Sequence, residues 1–275
     1  MRFISVLIGL LWYSFASGQY YYNDILATQQ SQQQYQLLRT TKVKKMQAIS
    51  FEEDRTPTEG FKLEQELSMD GKKLVTRTAN ISGKTSEVTS YFEMGKLKKT
   101  QSYSNGIENK MEYGYDEKGQ VKLFTLTTVD TSMNYKTVET REWHMNAAGQ
   151  FTDVLKIKNK SDSSLGNFIY DENGNLVEEH WKKKNKEIDT YYYYYNSAKQ
   201  LTDIVRFNTR LQKLMPDYQY EYDEKGKLIQ MIQLAANGKY FAWKYGYNEK
   251  GLKISETCSD NKRLVIGSIE YKYEF

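Results

Sequence analysis

Apolar and polar residues alternate with a period of two over most of this chain. Met111, Tyr113 and Tyr115 fall on one face of such a pattern, as do Trp143 and Met145, Tyr218, Tyr220 and Tyr222, and Trp243, Tyr245 and Tyr247. Ile269, Tyr271 and Tyr273 continue the set, and the intervening positions are mostly Glu, Lys, Gln, Asp and Thr. A period of two predicts β-strands with one apolar and one polar face. The pattern changes near the start, where Ile25-Leu26-Ala27 and Tyr35-Gln36-Leu37-Leu38 recur at helical spacing in a Gln-rich stretch. That stretch predicts a short amphipathic helix. Residues 40–52 read as a leading strand and residues 53–60 as a loop.

The alternation is punctuated by one phrase, clearest in Tyr220-Glu221-Tyr222-Asp223-Glu224-Lys225-Gly226-Lys227-Leu228. Asp at the first turn position accepts backbone hydrogen bonds, and Gly supplies the left-handed geometry that closes a type I turn with a bulge. The glycine position recurs at 71, 95, 119, 149, 174, 199, 226 and 251, so the intervals are 24, 24, 30, 25, 25, 27 and 25 residues. A near-constant period of this kind marks a repeat protein. The turn residues read off it are Asp116 and Gly119, Asp171 and Gly174, Asp223 and Gly226, and Asn248 and Gly251; Lys199 stands where the other copies mostly have glycine. A second set of turns lies between these, including Asn80–Lys84, Asn105-Gly106, Lys184-Asn185 and Ala236-Asn237-Gly238.

Two strands per unit give an all-β fold, a long antiparallel meander of about 14–17 strands. The expected form is a curled or wrapped single sheet built from about eight hairpin repeats of about 25 residues, with the short helix near one open end. The division that follows is a leader over 1–18, a helical segment and linker over 19–48, and the repeat domain over 49–275.

Composition sharpens this in three places. The 24 Tyr against 2 Pro suit half-buried strands. The 39 basic and 35 acidic residues are mixed, so a net charge of +4 is no footprint for nucleic acid. A single cysteine, Cys258, excludes an internal disulfide and a Cys-rich zinc site. Arg2, the apolar run Phe3 to Phe15, and Ala16-Ser17-Gly18 ahead of Gln19 read as a signal peptide cleaved near Gly18. No later stretch approaches the ~20 apolar residues of a membrane helix. The expectation is an exported protein, periplasmic, surface-bound or secreted, with no membrane span once the leader is removed.

The Tyr-x-Tyr-Asp-x-x-Gly-x-Leu phrase resembles the YD repeats of the RHS family, large secreted or surface proteins. Residues 220–228 match it fully. Tyr113 to Val121 has Val in the place of Leu, Phe168 to Leu176 has Phe in the place of the first Tyr, and the copy from Tyr245 has Asn248 for Asp. The resemblance implies an exported, wrapped β-structure over about residues 60–275; the expected setting is a Gram-negative envelope.

Candidate chemistry is sparse. His144 and His180 stand alone in their strands, and no phosphate loop, dinucleotide fingerprint or nucleophile elbow occurs. The reading is therefore non-enzymatic, with no metal and no cofactor. The residues singled out for ligand contact are Tyr191, Tyr192, Tyr193, Tyr194 and Tyr195, a strand with aromatics on both faces that could bind an envelope glycan or protein. Lys182-Lys183-Lys184-Asn185-Lys186 is the densest basic run, a solvated turn or a contact for a polyanion or lipid headgroup. The alternatives to a structural or binding protein are an outer-membrane barrel, which a C-terminal strand ending in Phe275 also suits, and a carbohydrate-binding or hydrolytic protein. Lys, Thr and Gln at outward positions and a mean hydropathy of −0.76 favour the soluble form over the barrel.

Overall fold

The computed structural model describes residues 20–208, 212–234 and 239–275. The predicted leader and the turn Ala236-Asn237-Gly238 lie outside them. Eighteen strands follow one helical segment. They are β1 (Lys45–Phe51), β2 (Lys62–Leu67), β3 (Lys73–Ala79), β4 (Thr85–Glu93), β5 (Lys96–Ser104), β6 (Ile107–Tyr115), β7 (Val121–Asp130), β8 (Tyr135–Met145) and β9 (Phe151–Lys158). The second half comprises β10 (Asp162–Tyr170), β11 (Leu176–Lys183), β12 (Lys186–Tyr195), β13 (Leu201–Asn208), β14 (Lys213–Tyr222), β15 (Leu228–Leu234), β16 (Tyr240–Tyr247), β17 (Lys253–Ser259) and β18 (Val265–Glu274).

Each strand pairs antiparallel with its sequence neighbours, and β1 pairs with both β2 and β18. Lys45 faces Glu274 at one end of the closing seam and Phe51 faces Ser268 at the other. The sheet is therefore a closed 18-stranded barrel. This corrects the expected curled or wrapped meander of 14–17 strands, and with it the RHS and YD-repeat likeness, whose sheet wraps without such a seam. The physical reason is the first strand. Read from sequence, residues 40–52 only lead into the repeats, yet β1 satisfies the free backbone edges of β2 and β18 together and leaves none open.

Closure also corrects the expectation of no membrane span. That expectation rested on the lack of an apolar helix and on polar outward positions of the strands, and no described helix is long and apolar enough to cross a bilayer. A closed barrel crosses with strands, because all its backbone groups are paired between neighbours.

The inner face holds the core. Phe124, Trp143, Val154, Phe168, Trp181, Tyr191, Tyr193, Ile204, Tyr220 and Trp243 are buried inside the ring. The outer face carries polar ladders. Arg77 bridges Glu66 at 3.1 Å and Glu87 at 2.9 Å across three strands, and Glu64 meets Lys62 at 2.9 Å and Lys45 at 3.5 Å.

The eight repeat turns define one rim of the barrel. In the copies read from sequence, Asp116, Asp171, Asp223 and Asn248 each accept the backbone N–H four residues on, at 2.7–3.0 Å. Gly119, Gly174, Gly226 and Gly251 adopt φ between 79° and 82°. Lys199 adopts φ 59° at the same place, a left-handed conformation that costs a side-chain-bearing residue ~1 kcal/mol or more.

Candidate functional site

The helical segment opens with one π-helical stretch (Tyr21–Leu26) and continues as α1 (Ala27–Thr40). Between Thr28 and Thr40 the Gln-rich run offers no β-branched obstacle, and the helix stops where Lys42 turns left-handed at φ 59°. The N–H of Val43 then bonds to the Leu38 carbonyl at 2.9 Å. The segment lies inside the ring. Its side chains meet inward-facing residues of β2, β4, β8, β11, β12 and β14, which surround it. The sequence placed this helix near one open end; it occupies the lumen.

Two buried carboxylates tie its first turns to the wall. Glu179 on β11 is fully buried and accepts four donors: the Tyr193 hydroxyl at 2.5 Å, Trp181 Nε1 at 2.6 Å, the Tyr20 N–H at 3.0 Å and the Tyr21 N–H at 3.3 Å. The two backbone donors are the free N–H groups that begin any helix, and the carboxylate also meets the positive end of the helix dipole. Burial pushes the Glu179 carboxyl up to about 7, against the opposing pull of its hydrogen bonds from Tyr193, Trp181 and the backbone.

The second carboxylate belongs to the helix. Asp24 is buried and paired with Arg141 of β8, whose Nε also donates to Glu139 at 2.8 Å. Lys156 of β9 reaches Glu139 at 3.4 Å and the Tyr20 hydroxyl. Burial raises the Asp24 carboxyl to about 6, and the Arg141 charge works in the opposite direction. Around these charges the rings interlock. Tyr20 lies 4.5 Å from Trp181, Tyr21 packs on Phe151, Phe168 and Tyr193, and Tyr22 stacks on Tyr218 at 5.6 Å. At the other end of the helix Tyr35 stacks on Phe92 and donates to the Gly71 carbonyl at 2.5 Å. A cleft of about 430 Å³ opens beside that stack, between Arg39, Asp70, Lys72 and Met94.

The five consecutive tyrosines are divided between two environments. Tyr191 and Tyr193 are buried in the lumen, with Tyr193 on Glu179, while Tyr194 is exposed on the outer wall and Tyr192 half-buried there. The wall separates the two sets, so no single surface gathers all five. His144 and His180 both face outward, beside Asp153 and Glu178 at 2.6 Å each. Cys258 is buried in the lumen, and burial, with Glu256 and Asp260 nearby, pushes its thiol up to about 12, away from nucleophilic use. Among the described residues no group of three or more His, Cys, Asp or Glu is placed to hold a metal ion.

Pattern reasoning missed the role of the second tyrosine in the phrase. Tyr115, Tyr222, Tyr247 and Tyr273 donate their hydroxyls to the carbonyls of Leu97, Leu201, Leu228 and Lys253, at 2.6–2.8 Å. Each acceptor lies two residues beyond the glycine position of the preceding turn, so the hydroxyl ties neighbouring repeats together. The signal was present as a preference for Tyr over Phe at that position. Glu179 was missed because Leu176-Val177-Glu178-Glu179 reads as solvent-facing, whereas the bulge beside Tyr170 turns Glu179 inward.

No family model matches the chain, and no curated protein matches it. Among solved structures it is similar to the TcdB2–TccC3 complex, with 17% identity and a TM-score of 0.35 over 74% of this chain and 12% of that one. A Photorhabdus luminescens Tc holotoxin pore gives 16% and 0.36 over 78% and 12%. A porin-like protein from Bacteroides uniformis gives 12% and 0.42 over 85% of this chain and 97% of that one. The chain thus spans about an eighth of the toxin chains. With TM-scores under 0.5, these likenesses assign neither family nor activity.

Proposed function

We propose that the protein is an exported β-barrel of a Gram-negative cell envelope that works as a closed scaffold or binding module, its lumen held shut by its own N-terminal helix. The observation that carries this reading is the seating of that helix on Glu179 and Arg141 within a wall of buried aromatics. A channel needs a continuous polar lumen, and here Phe124, Trp143, Phe168 and Tyr193 close on the helix instead. The leader-like first 18 residues support export. No chemistry is assigned: Glu179 is used by four donors, Asp24 is paired with Arg141 through one oxygen, and Glu256 is held by Lys253 and Tyr271.

The test is the reactivity of Cys258. In a shut barrel a small maleimide labels this thiol only after denaturation. Prompt labelling of the native protein would mean an open lumen and overturn the reading.

The closed sheet favours a second reading, a barrel embedded in the outer membrane. Its outer wall then has to place Arg77, Glu66 and Glu87 against lipid or beyond it, and an Arg or Lys at the bilayer midplane costs ~2–4 kcal/mol. Heat-modifiable migration from isolated outer membranes would establish this form; recovery without detergent would exclude it.

A further inference from the structure

Inside the ring the helix is wetted on one face. Gln29, Gln30, Gln33 and Gln36 of α1 are exposed, whereas Thr28, Tyr35 and Leu38 are buried. At ~3.6 residues per turn the glutamines fall on one side of the helix and the buried residues on the other. The buried side leans on one sector of the wall. Tyr35 stacks on Phe92 of β4, Gln32 donates to the Tyr115 hydroxyl of β6 at 3.3 Å, and Gln34 donates to Gln65 of β2 at 3.1 Å. The glutamine face therefore points across the lumen, towards β8 to β16. A ring of eighteen strands is wide enough to hold an aqueous channel, and one helix does not fill it. The space left beside the glutamines is a cup. Its floor is the first turns of the helical segment, where Tyr21 packs on Phe168 and Tyr193, and Tyr22 stacks on Tyr218. Its mouth is the rim of repeat turns, where the helix ends with Tyr35 on the Gly71 carbonyl.

The wall across the cup presents rings. Tyr170 of β10, Tyr195 of β12 and Tyr222 of β14 face inward, packed on the core yet only half-buried. They stand on every second strand, so neighbouring rings are at most ~10 Å apart along the wall. The Tyr222 hydroxyl is tied to the Leu201 carbonyl at 2.8 Å, which lays the ring along the wall with one face to the cup. Tyr195 lies within electrostatic reach of Tyr170, Tyr222 and Tyr21, so wall and floor converge on one space. The carboxylate beside them, Asp171, is used by its own turn, where it accepts the N–H groups of Asn173 and Asn175. From Ala27 to Leu38 the helix has no charged side chain. Amides that face flat aromatic rings across such a space match a neutral, polyhydroxylated ligand. Sugar hydroxyls exchange hydrogen bonds with glutamine, and the apolar faces of sugar rings stack on tyrosine. A charged ligand would lose its hydration there with no countercharge to replace it. An extended peptide would need a free strand edge, and the closed ring has none.

We propose that this lumenal cup binds a neutral oligosaccharide, with Gln29 and Gln33 on its hydroxyls and Tyr170, Tyr195 and Tyr222 against its ring faces. Such binding rests on the reading of the barrel as a binding module shut by its own helix, and it is the same whether the outer wall meets water or lipid.

The experiment is isothermal titration calorimetry of the purified full chain with hexasaccharides of glucose, mannose and N-acetylglucosamine. Hexagalacturonate serves as the charged comparison and a neutral Gly-Ser hexapeptide as the peptide comparison. At least one neutral hexasaccharide is expected to bind with a Kd below about 1 mM, hexagalacturonate at least tenfold more weakly, and the peptide not at all. The double variant Gln29→Ala, Gln33→Ala, whose changes favour the helix, weakens binding at least tenfold while its circular dichroism stays native. Tyr195→Ala weakens it as much, and Tyr194→Ala, on the outer wall, leaves it unchanged. Absence of binding by every neutral hexasaccharide, hexagalacturonate binding as tightly, peptide binding in place of sugar, or binding that the glutamine pair leaves unchanged would each overturn the proposal. Cys258 labelling is read on the same sample. A protected thiol with no binding removes the saccharide and leaves the shut barrel standing, whereas a thiol labelled in the native protein removes the shut barrel itself.

Discussion

Replacing Glu179 by Gln tests the seating of the helix with the least change of shape. The carboxylate divides four donors between its oxygens: Oε1 takes Trp181 Nε1 and the Tyr20 N–H, and Oε2 takes the Tyr193 hydroxyl and the Tyr21 N–H. A glutamine keeps one acceptor oxygen and turns an NH2 group onto the other pair. The Tyr193 hydroxyl can rotate and accept; the Tyr21 N–H cannot, and it keeps only its longer contact to Oε1 at 3.4 Å. A buried donor weakened in this way costs ~1–3 kcal/mol, so Glu179→Gln should cost ~1–3 kcal/mol near pH 5. The cost is pH-dependent because burial raises the wild-type carboxyl from 4.5 to about 7. A carboxyl raised on folding contributes stability that is fully present below its unfolded value and is lost as pH rises through its folded value. The wild type should therefore lose up to about 3 kcal/mol between pH 4.5 and 7.5, the variant should lack that component, and the gap between them should narrow as pH rises. Guanidinium unfolding followed by tryptophan emission measures the stability, and hydrogen exchange over residues 20–40 locates it. A gap below about 0.5 kcal/mol at pH 5, or one that widens towards pH 8, would refute the reasoning by showing that the helix does not depend on this acceptor or that the carboxyl stays ionised throughout.

Removing one partner of the other lumen contact should be more damaging than removing both. Arg141→Met leaves the buried Asp24 without its cation, while Glu139 keeps Lys156, and is expected to cost ~3–5 kcal/mol, with much of that recovered on adding Asp24→Asn, as denaturant midpoints will show. Tyr222→Phe deletes the hydroxyl tie to the Leu201 carbonyl and should cost ~1 kcal/mol, read as a lower Tm with unchanged circular dichroism. Gly166→Ala places a methyl group 2.8 Å from Trp181 Cζ2 and 2.9 Å from Val154 Cγ1, so a loss of ~1–3 kcal/mol and a shift in tryptophan emission are expected. Lys199→Gly relieves the left-handed backbone at φ 59° and should raise stability by ~1 kcal/mol in the same melts.

The local rules of this protein are written in its sequence. Alternation places Tyr113, Trp143, Tyr193 and Tyr220 on one face, and the repeat turns sit where Asp and Gly recur, because period and turn chemistry act within a few residues of each other. The amphipathic helix is legible for the same reason. Three features are not local, and only the tertiary structure decides them. Closure depends on β1 meeting β18, a pairing of residues more than 200 apart, and nothing in the spacing of Lys45 to Phe51 distinguishes a strand with two neighbours from a strand with one. The position of the helix inside the ring follows from closure, since a lumen exists only once the last edge is paired. Glu179 then acquires its meaning from both: a one-residue bulge turns it inward, and the ring brings it the N–H groups of Tyr20 and Tyr21 from the far end of the chain. A charge that reads as solvated in one dimension becomes the buried acceptor of a helix in three, because burial is a property of the neighbours and not of the residue.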